Sequence, residues 1–165
     1  MKSGLEKDWE TKEGYRCIIV LNTRSGSRCG YIFIPKDDKA YVEPTYSTYE
    51  FGGIEREVMR YNEDYDIEVH CGITYGETGP TKKFPANEPR EGTWLGFDTA
   101  HYDDAVDYDA WEELLENDAD KKIFNTLKEM EFMSDGTVRS HDFMVQECEN
   151  MSKQISLMTK GKKNE

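Results

Sequence analysis

The sequence predicts an α+β fold: an antiparallel or mixed sheet of about four strands, packed by a C-terminal helix, with an acidic helical region after the fourth strand. Three observations predict it. Short β-branched and aromatic runs stop at Gly, Pro and Asn clusters. A tract dense in Asp and Glu follows the last of these runs. Met144, Cys148, Met151, Ile155 and Met158 recur by four and three, the seam of an amphipathic helix. The 165 residues fit a single domain, 1–165, able to bury a core without help from disulfides or metal.

Residues 1–13 are mostly charged around one large apolar residue, Trp9, and read as a loosely ordered lead-in. The runs 15–21 and 29–34, separated by Asn22-Thr23-Arg24-Ser25-Gly26-Ser27, read as a hairpin. Residues 36–49 show no period and read as an irregular excursion, and 51–61 is open between a short helix and a turn. In 67–75, Ile67, Val69, Cys71, Ile73 and Tyr75 alternate with polar residues and predict a third strand. Residues 76–92, punctuated by Pro80, Pro85 and Pro89, read as a loop, and 93–98 as the fourth strand. Trp111, Leu114 and Leu115 set a short helix in the acidic tract. Ile123, Phe124, Leu127 and Met130 continue with helical spacing, and Asp118 to Asp120 can divide the two. Ser134-Asp135-Gly136 is a turn, the last helix starts near Ser140, and 160–165 is a frayed tail.

Twenty-one Lys and Arg against 34 Asp and Glu leave a formal net charge of -13. Such a surface repels phosphates, which excludes direct nucleic-acid binding and favours a basic protein partner. No apolar run approaches a membrane span, and MKSGLEKDWE lacks a signal-peptide stretch, so no membrane association and a cytosolic location are expected. Four scattered cysteines form no CxxC pair and should be reduced, Cys148 as a core residue of the last helix.

The ligand-type residues converge on strand ends. Cys29 opens the second strand, His70 lies on the polar face of the third, and Asp98 and His101 close the run Trp94-Leu95-Gly96-Phe97-Asp98-Thr99-Ala100-His101. If these strands are neighbours, Cys29, His70, Asp98 and His101 can meet at a structural zinc ion, because thiolate, imidazole and carboxylate are all accepted ligands. Asp98 can instead orient a ligating histidine. Two other readings stand beside this one. In the first, a small metal-dependent hydrolase uses His70, Asp98 and His101 with water at the fourth position. In the second, both histidines are core residues of a metal-free interaction domain. No HExxH, GxSxG or P-loop is present, so the residues argue against an enzyme more than for one. The acids Asp103, Asp104, Asp107, Asp109, Glu112, Glu113 and Glu116 form the expected partner-binding surface.

The blocks Arg28-Cys29-Gly30-Tyr31-Ile32, Val69-His70-Cys71-Gly72-Ile73-Thr74-Tyr75, Gly96-Phe97-Asp98-Thr99-Ala100-His101 and Phe143-Met144-Val145-Gln146-Glu147-Cys148 resemble a family of small bacteriophage proteins. That family carries CGY, VHGG-type and GFDxAH blocks before a final helix. The chain departs from it at Cys71, where glycine is usual, and at Thr99, where cysteine is common. It also resembles phage-derived anti-CRISPR proteins, some of which bind zinc. The resemblance implies an inhibitor of a type II CRISPR effector nuclease, acting by protein–protein binding in the cytoplasm of the infected bacterial host.

Overall fold

The computed structural model describes residues 4–131 and 136–159. The chain runs β1 (Leu5–Glu10), β2 (Arg16–Leu21), β3 (Arg28–Pro35), β4 (Tyr46–Phe51), β5 (Ile54–Met59), α1 (Tyr61–Asp64), β6 (Tyr75–Thr81), β7 (Glu88–Asp98), β8 (Asp104–Ala105), α2 (Tyr108–Glu112), α3 (Asp118–Glu131), β9 (Thr137–Val138) and α4 (His141–Ser156). The fold is α+β. Its main sheet has five strands in the order β1-β2-β3-β7-β6, with every neighbouring pair antiparallel.

Strands β2 and β3 are apolar on both sides because both faces of the sheet are covered. On one face, Cys17, Ile19, Ile32, Ile34, Leu95 and Phe97 pack under α4, whose Met144, Cys148, Met151 and Ile155 are fully buried. The four–three seam therefore marks core, and Cys148 belongs to it. Gly30 lets the helix approach: a Cβ there would stand 2.5 Å from the Phe97 ring and 3.1 Å from Cys148 Sγ. Ser140 caps α4 by accepting from the Phe143 N–H at 3.1 Å. On the other face Ile18, Tyr31, Phe33 and Trp94 form a smaller cluster beneath the segment that carries Phe84 and Ala86. A third cluster, Leu21, Trp111 and Phe124, seats α2 and α3 beside the β2–β3 turn, where Trp111 Nε1 donates to the Thr23 carbonyl at 2.9 Å.

Four readings of the sequence are corrected. The lead-in is not loose: β1 pairs with β2, and Trp9 Nε1 donates to Glu149 of α4 at 2.9 Å. The excursion expected over 36–49 ends in a strand, and 46–59 is the hairpin β4–β5, where Gly52 and Gly53 both take positive φ as a two-residue hairpin turn requires, before the short α1. The segment 76–92, expected as a loop, carries β6 and the start of β7. The expected third strand over 67–75 forms only at its end, in β6. Tyr65, Ile67 and Ile73 do face the core, but α4 side chains satisfy the segment's backbone. Glu68 N–H donates to Gln154 Oε1 at 2.8 Å, and Gln154 Nε2 donates to the Glu68 carbonyl at 2.7 Å. Alternation placed Ile67, Val69 and Ile73 correctly, failed at Cys71, which is exposed with φ 55°, and at Tyr75, which packs in the Ile18–Trp94 cluster, and left open what pairs with the backbone. The frayed tail and part of the Ser134–Gly136 turn lie outside the described residues.

Candidate functional site

The four expected ligands form a row. Cys29 lies opposite Asp98 in the β3–β7 register. His101 Nε2 stands 3.2 Å from Asp98 Oδ1 without hydrogen-bond alignment, and this buried nitrogen has no other hydrogen-bond partner among the described residues. The His101 and His70 ring centroids are 6.1 Å apart, and His70 Nε2 lies 2.9 Å from Asp104 Oδ1. The fit to zinc is thus incomplete. Asp98 and His101 are adjacent, but Asp98 also accepts from Thr74 Oγ1 at 2.9 Å. Cys29 packs in the Ile18–Trp94 cluster, and His70 is turned to Asp104. Among the described residues no group of three or more His, Cys, Asp or Glu side chains is arranged to hold a metal ion.

The row ends at Asp104, which the sequence placed among the surface acids. Its side chain is only 2% exposed. It accepts from Arg139 Nε at 2.8 Å and from the His101 N–H at 3.0 Å, besides its contact with His70. Burial alone would raise this carboxyl; the hydrogen bonds from Arg139 and His70 outweigh it and hold the pKa below its ordinary value. Asp104 therefore joins the 70 turn, the 101 turn and the lead into α4, and it is not part of an open surface.

Asp107 is likewise occupied. It caps α2 by accepting from the Ala110 N–H at 3.1 Å, and its Oδ2 accepts from Arg28 Nη1 at 2.7 Å. Arg28, 5% exposed, also donates to both carboxylate oxygens of Glu6, at 2.7 and 3.1 Å, and to the Arg139 carbonyl at 3.0 Å. A buried guanidinium needs this set of acceptors, since an unpaired one would face the full cost of desolvation. The sequence reading missed Arg28, Arg139 and Glu6. A signal was present: an arginine heading the apolar run 28–34 must be met by acids.

The remaining tract acids Asp103, Asp109, Glu112, Glu113 and Glu116 are exposed, as is Asp118. They ride on a stiff base, because Trp111 is 1% exposed and packs edge to face on Phe124 with centroids 5.3 Å apart. From 103 to 120 there is no Lys or Arg.

Cys71 is exposed and its Sγ lies 3.7 Å from His70 Nε2, the same nitrogen that meets Asp104. A Cys/His nucleophile needs the thiol and the orienting acid on opposite ring nitrogens. Desolvation and the charges of Asp104 and Asp98 push the Cys71 thiol up, away from thiolate character. Among the described residues no helix is long and apolar enough to cross a membrane. Compared with family models, with curated proteins and with solved structures, the chain matches none.

Proposed function

We propose that the chain is a protein-binding inhibitor whose acidic α2–α3 end occupies a basic, nucleic-acid-binding surface of its partner. Following the bacteriophage resemblance, the partner is a type II CRISPR effector nuclease in the cytoplasm of an infected bacterium. The observation that carries this reading is the set of exposed carboxylates Asp103, Asp109, Glu112 and Asp118, in a stretch of sequence with no Lys or Arg from 103 to 120, beside the buried Trp111–Phe124 pair. Clustered like charges on a rigid base imitate phosphates, steer association and make it sensitive to salt. The hydrolase reading has less support, because the side chain of His70 is engaged by Asp104.

The test is guide-directed DNA cleavage by a purified type II effector. The wild-type chain should inhibit it, less so as salt rises. The triple variant Asp103→Lys, Asp109→Lys, Glu112→Lys should lose inhibition while keeping its circular dichroism spectrum. Absence of inhibition by the wild-type chain, or equal inhibition by the variant, overturns the reading. Zinc, implied by the same resemblance for Cys29, His70, Asp98 and His101, finds only Asp98 and His101 adjacent, with Cys29 in the Ile18–Trp94 cluster and His70 engaged by Asp104. Metal content of the purified protein, with His101→Ala as control, decides that part separately.

A further inference from the structure

Two apolar surfaces stand uncovered among the described residues, and their chemistries match. The first is one face of the β4–β5 ribbon. Its cross-strand pairs Ser47–Val58, Tyr49–Arg56 and Phe51–Ile54 place Tyr49, Phe51, Ile54 and Val58 on one side around Arg56, and Thr48–Glu57 and Glu50–Glu55 place three glutamates on the other. Phe51 is 73% exposed and Ile54 57%. One apolar and one charged face is the pattern of a sheet packed on one side, and an isolated two-stranded hairpin is marginal in water. The second surface is a stripe on α3, where Ile123, Leu127 and Met130 share a face by helical spacing with exposures of 55%, 37% and 68%.

We propose that the chain forms a two-fold dimer in which the β4–β5 ribbon of each copy packs on the α3 stripe of the other. This goes beyond the preceding reading and does not rest on it. Aromatic side chains bury roughly 150–250 Å² each and aliphatic ones somewhat less, so the exposed ribbon face offers on the order of 400 Å² and the stripe on the order of 300 Å². Two reciprocal contacts then bury roughly 1,400 Å², within the roughly 1,200–2,000 Å² of stable interfaces. Ribbon on ribbon alone would reach only about 800 Å² and would bring Arg56 toward its own copy. Packing on the stripe avoids that like-charge contact and leaves Glu50, Glu55 and Glu57 in water. A helix laid on a ribbon is an ordinary layer contact, and reciprocal exchange closes with two-fold symmetry.

The experiment is sedimentation equilibrium of the full chain across a wide concentration range. The expected result is a species of twice 19.2 kDa. The ribbon variant Phe51→Ser/Ile54→Ser and the stripe variant Leu127→Ser/Met130→Ser should each associate on the order of 100-fold more weakly. Mixing the two should recover association, because the mixed pair keeps one intact ribbon–stripe contact, a signature that ribbon–ribbon or helix–helix pairing would not give. If either double variant fails to fold, the single variants Phe51→Ser and Met130→Ser, at side chains 73% and 68% exposed, serve instead and should each weaken the dimer. A monomer at every concentration overturns the proposal, as does a dimer indifferent to both variants or a mixture without recovery. Ribbon-dependent binding of a monomer to phosphatidylglycerol vesicles would assign the surface to a bilayer instead.

Discussion

Asp104 and Asp109 belong to one acidic tract and meet opposite surroundings. Asp104 is buried between His70, Arg139 and the His101 amide, while Asp109, one turn into the cation-free stretch, faces water. Asp107 lies between them in character, bound to Arg28 yet a quarter exposed at 25%. The difference teaches that the tract does two jobs. Its first acids are held by cations from distant parts of the chain and fix the end of the sheet. Its later acids, Asp109, Glu112 and Asp118 among them, lie exposed, on the surface proposed for the partner.

The largest expected effect is at the buried end. Asp104→Asn leaves Arg139 and His70 facing each other across a neutral amide, and should lower unfolding free energy in urea at neutral pH by about 3–5 kcal/mol. A loss below about 1 kcal/mol would place Asp104 with the surface acids. Acid titration comes next. Asp104, Asp107 and Glu88 all have lowered pKa values, Glu88 falling from 4.5 to about 2 through its hydrogen bonds from Arg90 and Arg16. A lowered carboxyl stabilises the fold fully above its unfolded value and loses that stabilisation as pH falls through the folded one. Stability should therefore drop between pH 4.5 and about 2, by about 2 kcal/mol for Glu88 once screening at the exposed Arg90 is allowed for. Glu88→Gln should flatten that part of the curve.

Asp107→Asn should cost about 1–2 kcal/mol, since an amide still caps α2 and Glu6 still holds Arg28. The smallest effect on stability, within about 0.5 kcal/mol, is expected for Asp109→Asn/Glu112→Gln. In that pair the change should appear in the salt dependence of partner binding and not in unfolding. A destabilisation as large as that of Asp107→Asn would erase the distinction between the two ends of the tract.

Much of the architecture was legible. The β2–β3 hairpin, the α4 seam and the two acidic helices each announce themselves by local period and turn chemistry, which are properties of neighbouring residues. What was not legible depends on partners far along the chain. Leu5–Glu10 reads as a charged lead-in until β2 is there to pair with it, and 67–75 reads as a strand because side-chain alternation carries no record of Gln154 taking the backbone bonds. The candidate site divides in the same way. Cys29, Asp98, His101 and His70, expected to meet at one point, lie in a row, and tract acids look alike in sequence. Only the positions of Arg28 and Arg139 separate Asp104 and Asp107 from Asp109 and Glu112.

Whether the outer carboxylates of the tract make the proposed partner contact is decided by inhibition of guide-directed DNA cleavage by a purified type II effector, followed against salt. The wild-type chain should inhibit strongly at low salt, and Asp103→Lys/Asp109→Lys/Glu112→Lys should abolish inhibition with the fold intact. Inhibition that survives the triple reversal, or that does not change with salt, would contradict it.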